Sequence, residues 1–181
     1  MDLEQFVAQS EGSWRSMRSG HSLAFQQFEE VLSEVKIESL ELNNPEVVSL
    51  LETSAKVKGE PKAPFRMQWR AESDWEPDDP EAVAEGSCIL VPVQTAPTTG
   101  LLLRSMGYAE AEQAIGEYSF LADGTFLLTT RYGQSIAEER IWFVSENVRC
   151  RSSVLKTSEG SGVLQTSFAS EVRKLQAKEK D

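Results

Sequence analysis

Six residues in the last third of the chain are of the types from which a site that binds carboxylates and handles a proton is made. Glu139, Ile141 and Phe143 lead into a turn at Ser145-Glu146-Asn147, and Arg149, Arg151 and Ser153 lead away from it. With Glu146 at the centre of the turn, the two runs pair antiparallel: Glu139 opposite Ser153, Ile141 opposite Arg151, Phe143 opposite Arg149. Alternate strand residues share a face, so all six fall on one patch. The planar fork of a guanidinium matches both oxygens of a carboxylate, which lysine does not. A carboxylate beside it can hold or move a proton. The reverse face would carry Trp142, Val144, Val148 and Cys150, a hydrophobic layer. Arginines on a lone strand most often face solvent, so the patch is a site only if the fold turns it inward.

Other chemistries are excluded by what the chain lacks. His21 is the single histidine, and Cys88 and Cys150 match no metal-ligand spacing. No Walker sequence or nucleophile elbow is present, and Gly160-Ser161-Gly162 is a glycine pair with no helix to follow it. Lys and Arg number 18 against 29 Asp and Glu, a net charge of −11. That balance argues against sequence-independent nucleic-acid binding and against adsorption to an anionic membrane. The acidic start, without an apolar leader, and the absence of a run of about 20 apolar residues predict a cytoplasmic protein with reduced thiols.

The elements that must position the patch are mostly strands. A short helix is predicted from Leu3, Phe6 and Val7, ended by Glu11-Gly12, and a second from the cap Asn44-Pro45 followed by Val47, Val48, Leu50 and Leu51. From Phe65 to Trp75 apolar and polar residues alternate, so Trp69 and Trp75 share one face. Cys88–Val93 is a short apolar run, Leu101 begins another, and Asp123-Gly124 lies between two β-prone runs as a hairpin signal. A last strand spans Val163 to Val172. Strands at this spacing predict a mainly β sandwich or barrel with two helices, in a single domain over 1–175 with a charged tail at 176–181, and a closed barrel of eight or more strands would leave room inside for one small ligand. The acidic stretch 76–86 is a loop, either solvated or a lid.

Gly12-Ser13-Trp14, just after the first helix, resembles the opening of lipocalin-like barrels, in which the indole plugs the base and an arginine from a late strand lies on it. The longer run from Gly12 to Phe25 resembles the S-type (CpcS/CpeS) phycobiliprotein lyases. So do Leu101–Glu110, Glu139–Phe143, Asn147–Ser153 and Ser170–Arg173, in the family's order. One departure is His21-Ser22, where the family often has paired histidines, and His21 is given no essential role.

The resemblance implies a lipocalin-like, antiparallel up-and-down barrel of about eight to ten strands, whose substrate is a bilin, a linear tetrapyrrole with two propionates, and whose product is that bilin in thioether linkage to an apo-phycobiliprotein subunit. Phycocyanobilin is the expected type, and phycocyanin, allophycocyanin or phycoerythrin subunits are the expected acceptors. The acceptor supplies the thiol, so no nucleophile, metal or tightly bound cofactor is expected of this chain, and a homodimer is implied. In that reading Glu139 serves the inner pyrrole nitrogens as the catalytic group, Arg149 and Arg151 take the propionates, and Ser153 takes a lactam or propionate oxygen. Arg18 is either a third propionate partner or a cation–π partner of Trp14. Trp69 and Trp75 are core residues that double as cavity wall, Trp75 nearer the mouth. Two alternatives stay open: a non-catalytic carrier of a fatty acid or similar apolar carboxylate, and a structural interaction protein with an empty core.

Overall fold

The computed structural model describes residues 1–23, 25–72, 85–105, 115–159 and 162–175. In chain order the elements are α1 (Leu3–Ser10), β1 (Gly12–Ser22), β2 (Gln27–Ser39), α2 (Pro45–Thr53), β3 (Glu60–Pro61) and β4 (Phe65–Glu72). There follow β5 (Glu85–Ala96), β6 (Thr99–Arg104), β7 (Gly116–Phe120), β8 (Phe126–Tyr132), β9 (Ser135–Ser145), β10 (Val148–Thr157) and β11 (Val163–Arg173). Each long strand pairs antiparallel with the next, and β11 returns to β1. Ten strands thus close a barrel, the upper end of the expected range, and the two-residue β3 sits on the edge of β5. Closure leaves the ten without an unpaired edge. Among the described residues no helix is long and apolar enough to cross a membrane.

α1 closes one end of the barrel. Asp2 and Gln5 form a reciprocal capping box, and Leu3, Phe6 and Val7 are all buried. The Phe6 ring stacks on Phe126 at 4.5 Å between centroids and meets Phe120 and Phe143 edge-on. Its C-terminal end is tied down by Trp14, fully buried, whose indole nitrogen donates to the Ser10 carbonyl at 2.8 Å. The Arg173 guanidinium donates to the carbonyls of Gln9 (2.7 Å) and Glu11, satisfying acceptors the helix leaves unpaired. Gly12 makes this approach possible: its φ is +119°, and a Cβ there would stand 2.8 Å from the Arg173 guanidinium.

α2, capped by Asn44 as expected, packs on the outside of the barrel. Val47 and Leu50 cover Ile89, Val91, Val93 and Leu103. The alternate residues Cys88 and Leu90 belong to the inner cluster under α1. β5 is therefore buried on both faces, which is why its sequence reads as a continuous apolar run rather than an alternation. The Asp123-Gly124 hairpin forms with a longer connection than two residues: Leu121–Thr125 link β7 to β8, with Gly124 at φ +85° and the Asp123 carboxylate accepting from the Thr125 amide at 2.9 Å.

Some expected features move or fall elsewhere. Glu85 and Gly86, assigned to the acidic loop, already belong to β5. Trp75, the rest of that loop, Gly160-Ser161 and the tail 176–181 lie outside the described residues.

Candidate functional site

The predicted β9–β10 register is the observed one: Glu139 pairs with Ser153, Ile141 with Arg151 and Phe143 with Arg149. The turn differs. Two residues, Glu146 and Asn147, make it, and a bulge after Val148 absorbs the offset. The patch faces inward. The reverse face lies on the exterior instead of forming a hydrophobic layer, with Val144 64% exposed and the half-buried Trp142 meeting an exposed Phe168 across the sheet.

Register carries the inward row from strand to strand. Glu171 of β11 pairs with Arg149 and with Ser16 of β1, and Ser167 pairs with Ser153. One side of the interior is thus polar. The opposite side, from β4 through β8, presents Phe65, Met67, Leu90, Leu102, Phe126 and Leu128. Between them lies a cavity of about 140 Å³ that opens to solvent. Arg104, Glu139, Arg149 and Arg151 all line it.

Arg149 is committed. Only 4% exposed, it gives Nε–H to Glu171, and its guanidinium lies 4.7 Å from the centre of the Trp14 ring. Arg173 lies over the same ring at 4.2 Å. The expected stacking of a late-strand arginine on the barrel-base indole is therefore double, and Arg18, expected as a possible stacking partner, is not in it. A desolvated guanidinium–indole contact is worth about 2 kcal/mol. Burial lowers the pKa of Arg149 from its ordinary value against the pull of Glu171, yet a guanidinium keeps its charge in a protein. Burial pushes the Glu171 carboxyl up, but Arg149, Arg151 and the Ser16 hydroxyl together outweigh it, and its pKa ends below the ordinary 4.5.

Arg151 is freer, with its side chain 28% exposed and Nη2 3.8 Å from Glu171 Oε1. Glu139 faces Arg104 across the cavity, Nη2 to Oε2 at 3.5 Å, at the limit of a hydrogen bond. Ser153 shares a 2.7 Å hydrogen bond with Ser167. Arg18 lies on the inward row of β1 but pairs with Glu29 at 3.0 Å and does not line the cavity. Trp69 is half-buried on the inward row of β4 and packs against the core. Its indole covers Gly86, where a Cβ would stand 2.2 Å from the ring.

Two groups of the site were not singled out from the sequence. Arg104 ends the apolar run Leu101-Leu102-Leu103, and a lone charge closing such a run was its signal. Glu171 follows from period-2 alternation on β11, counted from Arg173. Burial also pushes the Cys88 thiol up, opposed by Arg104, so this cavity thiol stays protonated at neutral pH and does not compete as a nucleophile.

The family model described as CpeS-like protein matches residues 2–174. Chromophore lyase CpcS/CpeS 3 of Trichodesmium erythraeum is 48% identical over 175 residues, covering 96% of this chain and 99% of that protein. The phycocyanobilin lyase subunit CpcS of Picosynechococcus is 32% identical, covering 95% and 86%. The structure of the S-type phycobiliprotein lyase CPES from Guillardia theta superposes with a TM-score of 0.81 at 37% identity, covering 98% of this chain and 95% of that one.

Proposed function

The chain belongs to the CpeS-like protein family, and on that premise we propose that it is a bilin lyase, which takes up a free linear tetrapyrrole and promotes its thioether attachment to a cysteine of an apo-phycobiliprotein subunit. The observation that carries this reading is the inward polar wall: a carboxylate and guanidiniums on one side of a closed barrel, facing an aromatic and aliphatic wall on the other. A bilin is flat and apolar along its conjugated rings and anionic at its two propionates, so it presents both chemistries at once.

Among the described residues, Arg104, Arg149 and Arg151 stand against Glu139 and Glu171, which leaves one positive charge on the site. A bilin with both propionates ionised and its ring nitrogens protonated carries one negative charge, so site and protonated ligand balance. Glu139 holds the protonated pyrrole nitrogens, a form whose ring-A ethylidene is the better electrophile. Arg151, backed by the fixed Arg149, takes a propionate, Ser153 a lactam oxygen, and Trp69 lies along the ring plane. The acceptor's thiol then adds across the ethylidene double bond: the sulfur bonds the exocyclic carbon, the proton goes to ring A, and nothing leaves. The bilin is substrate, not resident cofactor. Holding one conformer with one carbon exposed contributes through positioning.

The test mixes the purified protein with an apo-subunit and either phycocyanobilin or phycoerythrobilin, then scores zinc-enhanced fluorescence of the denatured subunit on a gel. Adduct formed faster with the protein than without it, for at least one bilin, supports the reading. Equal rates with and without the protein for both bilins, together with binding of a fatty acid in a separate titration, would make the barrel a carrier.

A further inference from the structure

A ligand with two propionates needs two guanidiniums able to leave or share their present partners, and the hairpin that offers Arg149 and Arg151 supplies one. Arg149 is spent: its Nε–H is on Glu171, its plane is laid on Trp14, and removing either contact would leave a charge buried at the barrel floor. Arg151 is the freer member. The second lies elsewhere. Arg104, the last residue of β6, enters the cavity from the apolar wall. Among the described residues its Nε–H is buried with no hydrogen-bond partner, and its contact with Glu139 is stretched to 3.5 Å. A buried donor left unmade is costly, and an incoming carboxylate would relieve it.

We propose that Arg104 binds the second propionate of the ligand, a role neither the local hairpin pattern nor its neighbours on β6 assign to it. The inference rests on the bilin reading above and deepens it: the two propionates are gripped from opposite walls, Arg151 on β10 and Arg104 on β6. Two anchors on facing walls fix the long axis of the chromophore, whereas two adjacent on one strand would leave it free to swing. The same arrangement sets Glu139, on the polar wall facing Arg104, beside the centre of the molecule where its nitrogens lie.

The experiment is an absorbance titration of wild-type protein, Arg104→Gln, Arg104→Lys and Arg149→Gln with a bilin and with its dimethyl ester, which keeps the rings and removes both carboxylate charges. Wild type should bind the free acid at least tenfold more tightly than the ester. Arg104→Gln should weaken the free acid by about tenfold or more, the worth of a charge-assisted hydrogen bond, and leave the ester's affinity unchanged. Arg104→Lys should fall between, keeping charge without the fork, and covers the case in which the glutamine variant fails to fold. Equal weakening of acid and ester in both variants, or no weakening of the acid, overturns the role of Arg104. If the loss specific to the acid appears in Arg149→Gln instead, the second anchor is Arg149. Failure of wild type to bind either form defeats the bilin reading itself, a result distinct from the others.

Discussion

Glu171 is 1% exposed between Arg149, Arg151 and Ser16, whereas the Glu139 side chain is 24% exposed and meets Arg104 at the edge of hydrogen-bond range. The two carboxylates therefore answer substitution differently. Glu171→Gln removes one partner of a buried pair and leaves Arg149 uncompensated, which should cost about 3–5 kcal/mol in denaturant unfolding. It should also flatten the acid side of the stability profile. With the folded pKa below 4.5, the unfolded chain takes up this proton first as pH falls, so the contribution is complete above the unfolded value and is lost as pH drops through the folded one. The wild-type-minus-variant difference in unfolding midpoint should shrink steadily below pH 4.5, and a constant difference would remove Glu171 as its source. Glu139→Gln should change stability by less than about 1 kcal/mol, as a weak, partly exposed pair allows. Its effect belongs to chemistry: the rate of thioether formation should fall by about 10²-fold or more, with bilin affinity much less affected. Equal losses in rate and affinity would make Glu139 a binding group. The side of the site on β9 and β10 was legible because a hairpin brings alternating residues together by local pairing. Arg104 was not, since its partner Glu139 is 35 residues away across the barrel, a distance periodicity does not see.

Elements divide in the same way between what local patterns reveal and what closure adds. Both helices, the alternation on β4 and the β9–β10 register follow from caps and period-2 spacing, and all are observed. The return of β11 to β1 and the double burial of β5 are consequences of closing the sheet and docking α2 outside it, and no window of the chain encodes them alone. The outer face of β9 is the converse: alternation assigned Trp142 and Val144 to a layer, but Val144 is exposed and Trp142 is only half-buried, against Phe168. A contact between β4 and β5 makes this testable. Gly86 pairs with Trp69, and the indole occupies the volume a side chain would take. Gly86→Ala should displace Trp69, shift its fluorescence, destabilise the fold by about 1–3 kcal/mol and weaken bilin binding. Pairing it with Trp69→Phe should recover most of the stability, because the smaller ring vacates the space. If the double variant is no more stable than Gly86→Ala, the glycine is required for the backbone and not for the indole.

At the scale of the whole molecule, charge and site oppose each other. The chain carries a net −11, while Arg104, Arg149 and Arg151, set against Glu139 and the buried Glu171, leave one positive charge at the site, so an anionic ligand must cross a repulsive exterior to reach an attractive interior. Long-range repulsion acts on the approach, where ions screen it: the Debye length shortens from about 30 Å at 10 mM salt to about 10 Å at 100 mM. The contacts that hold the ligand lie inside, excluded from bulk ions, and are screened far less. Raising salt should therefore speed association of a dianionic bilin, by about two- to tenfold between 10 and 200 mM, with little change in its dissociation rate. Stopped-flow absorbance separates the two rates directly. The dimethyl ester is the control: having lost its propionate charges, it should associate at a rate nearly independent of salt. An association rate that instead falls with salt for the free acid would mean that the guanidiniums lining the cavity, the partly exposed Arg151 foremost, dominate the local field. The acidic surface would then be irrelevant to capture.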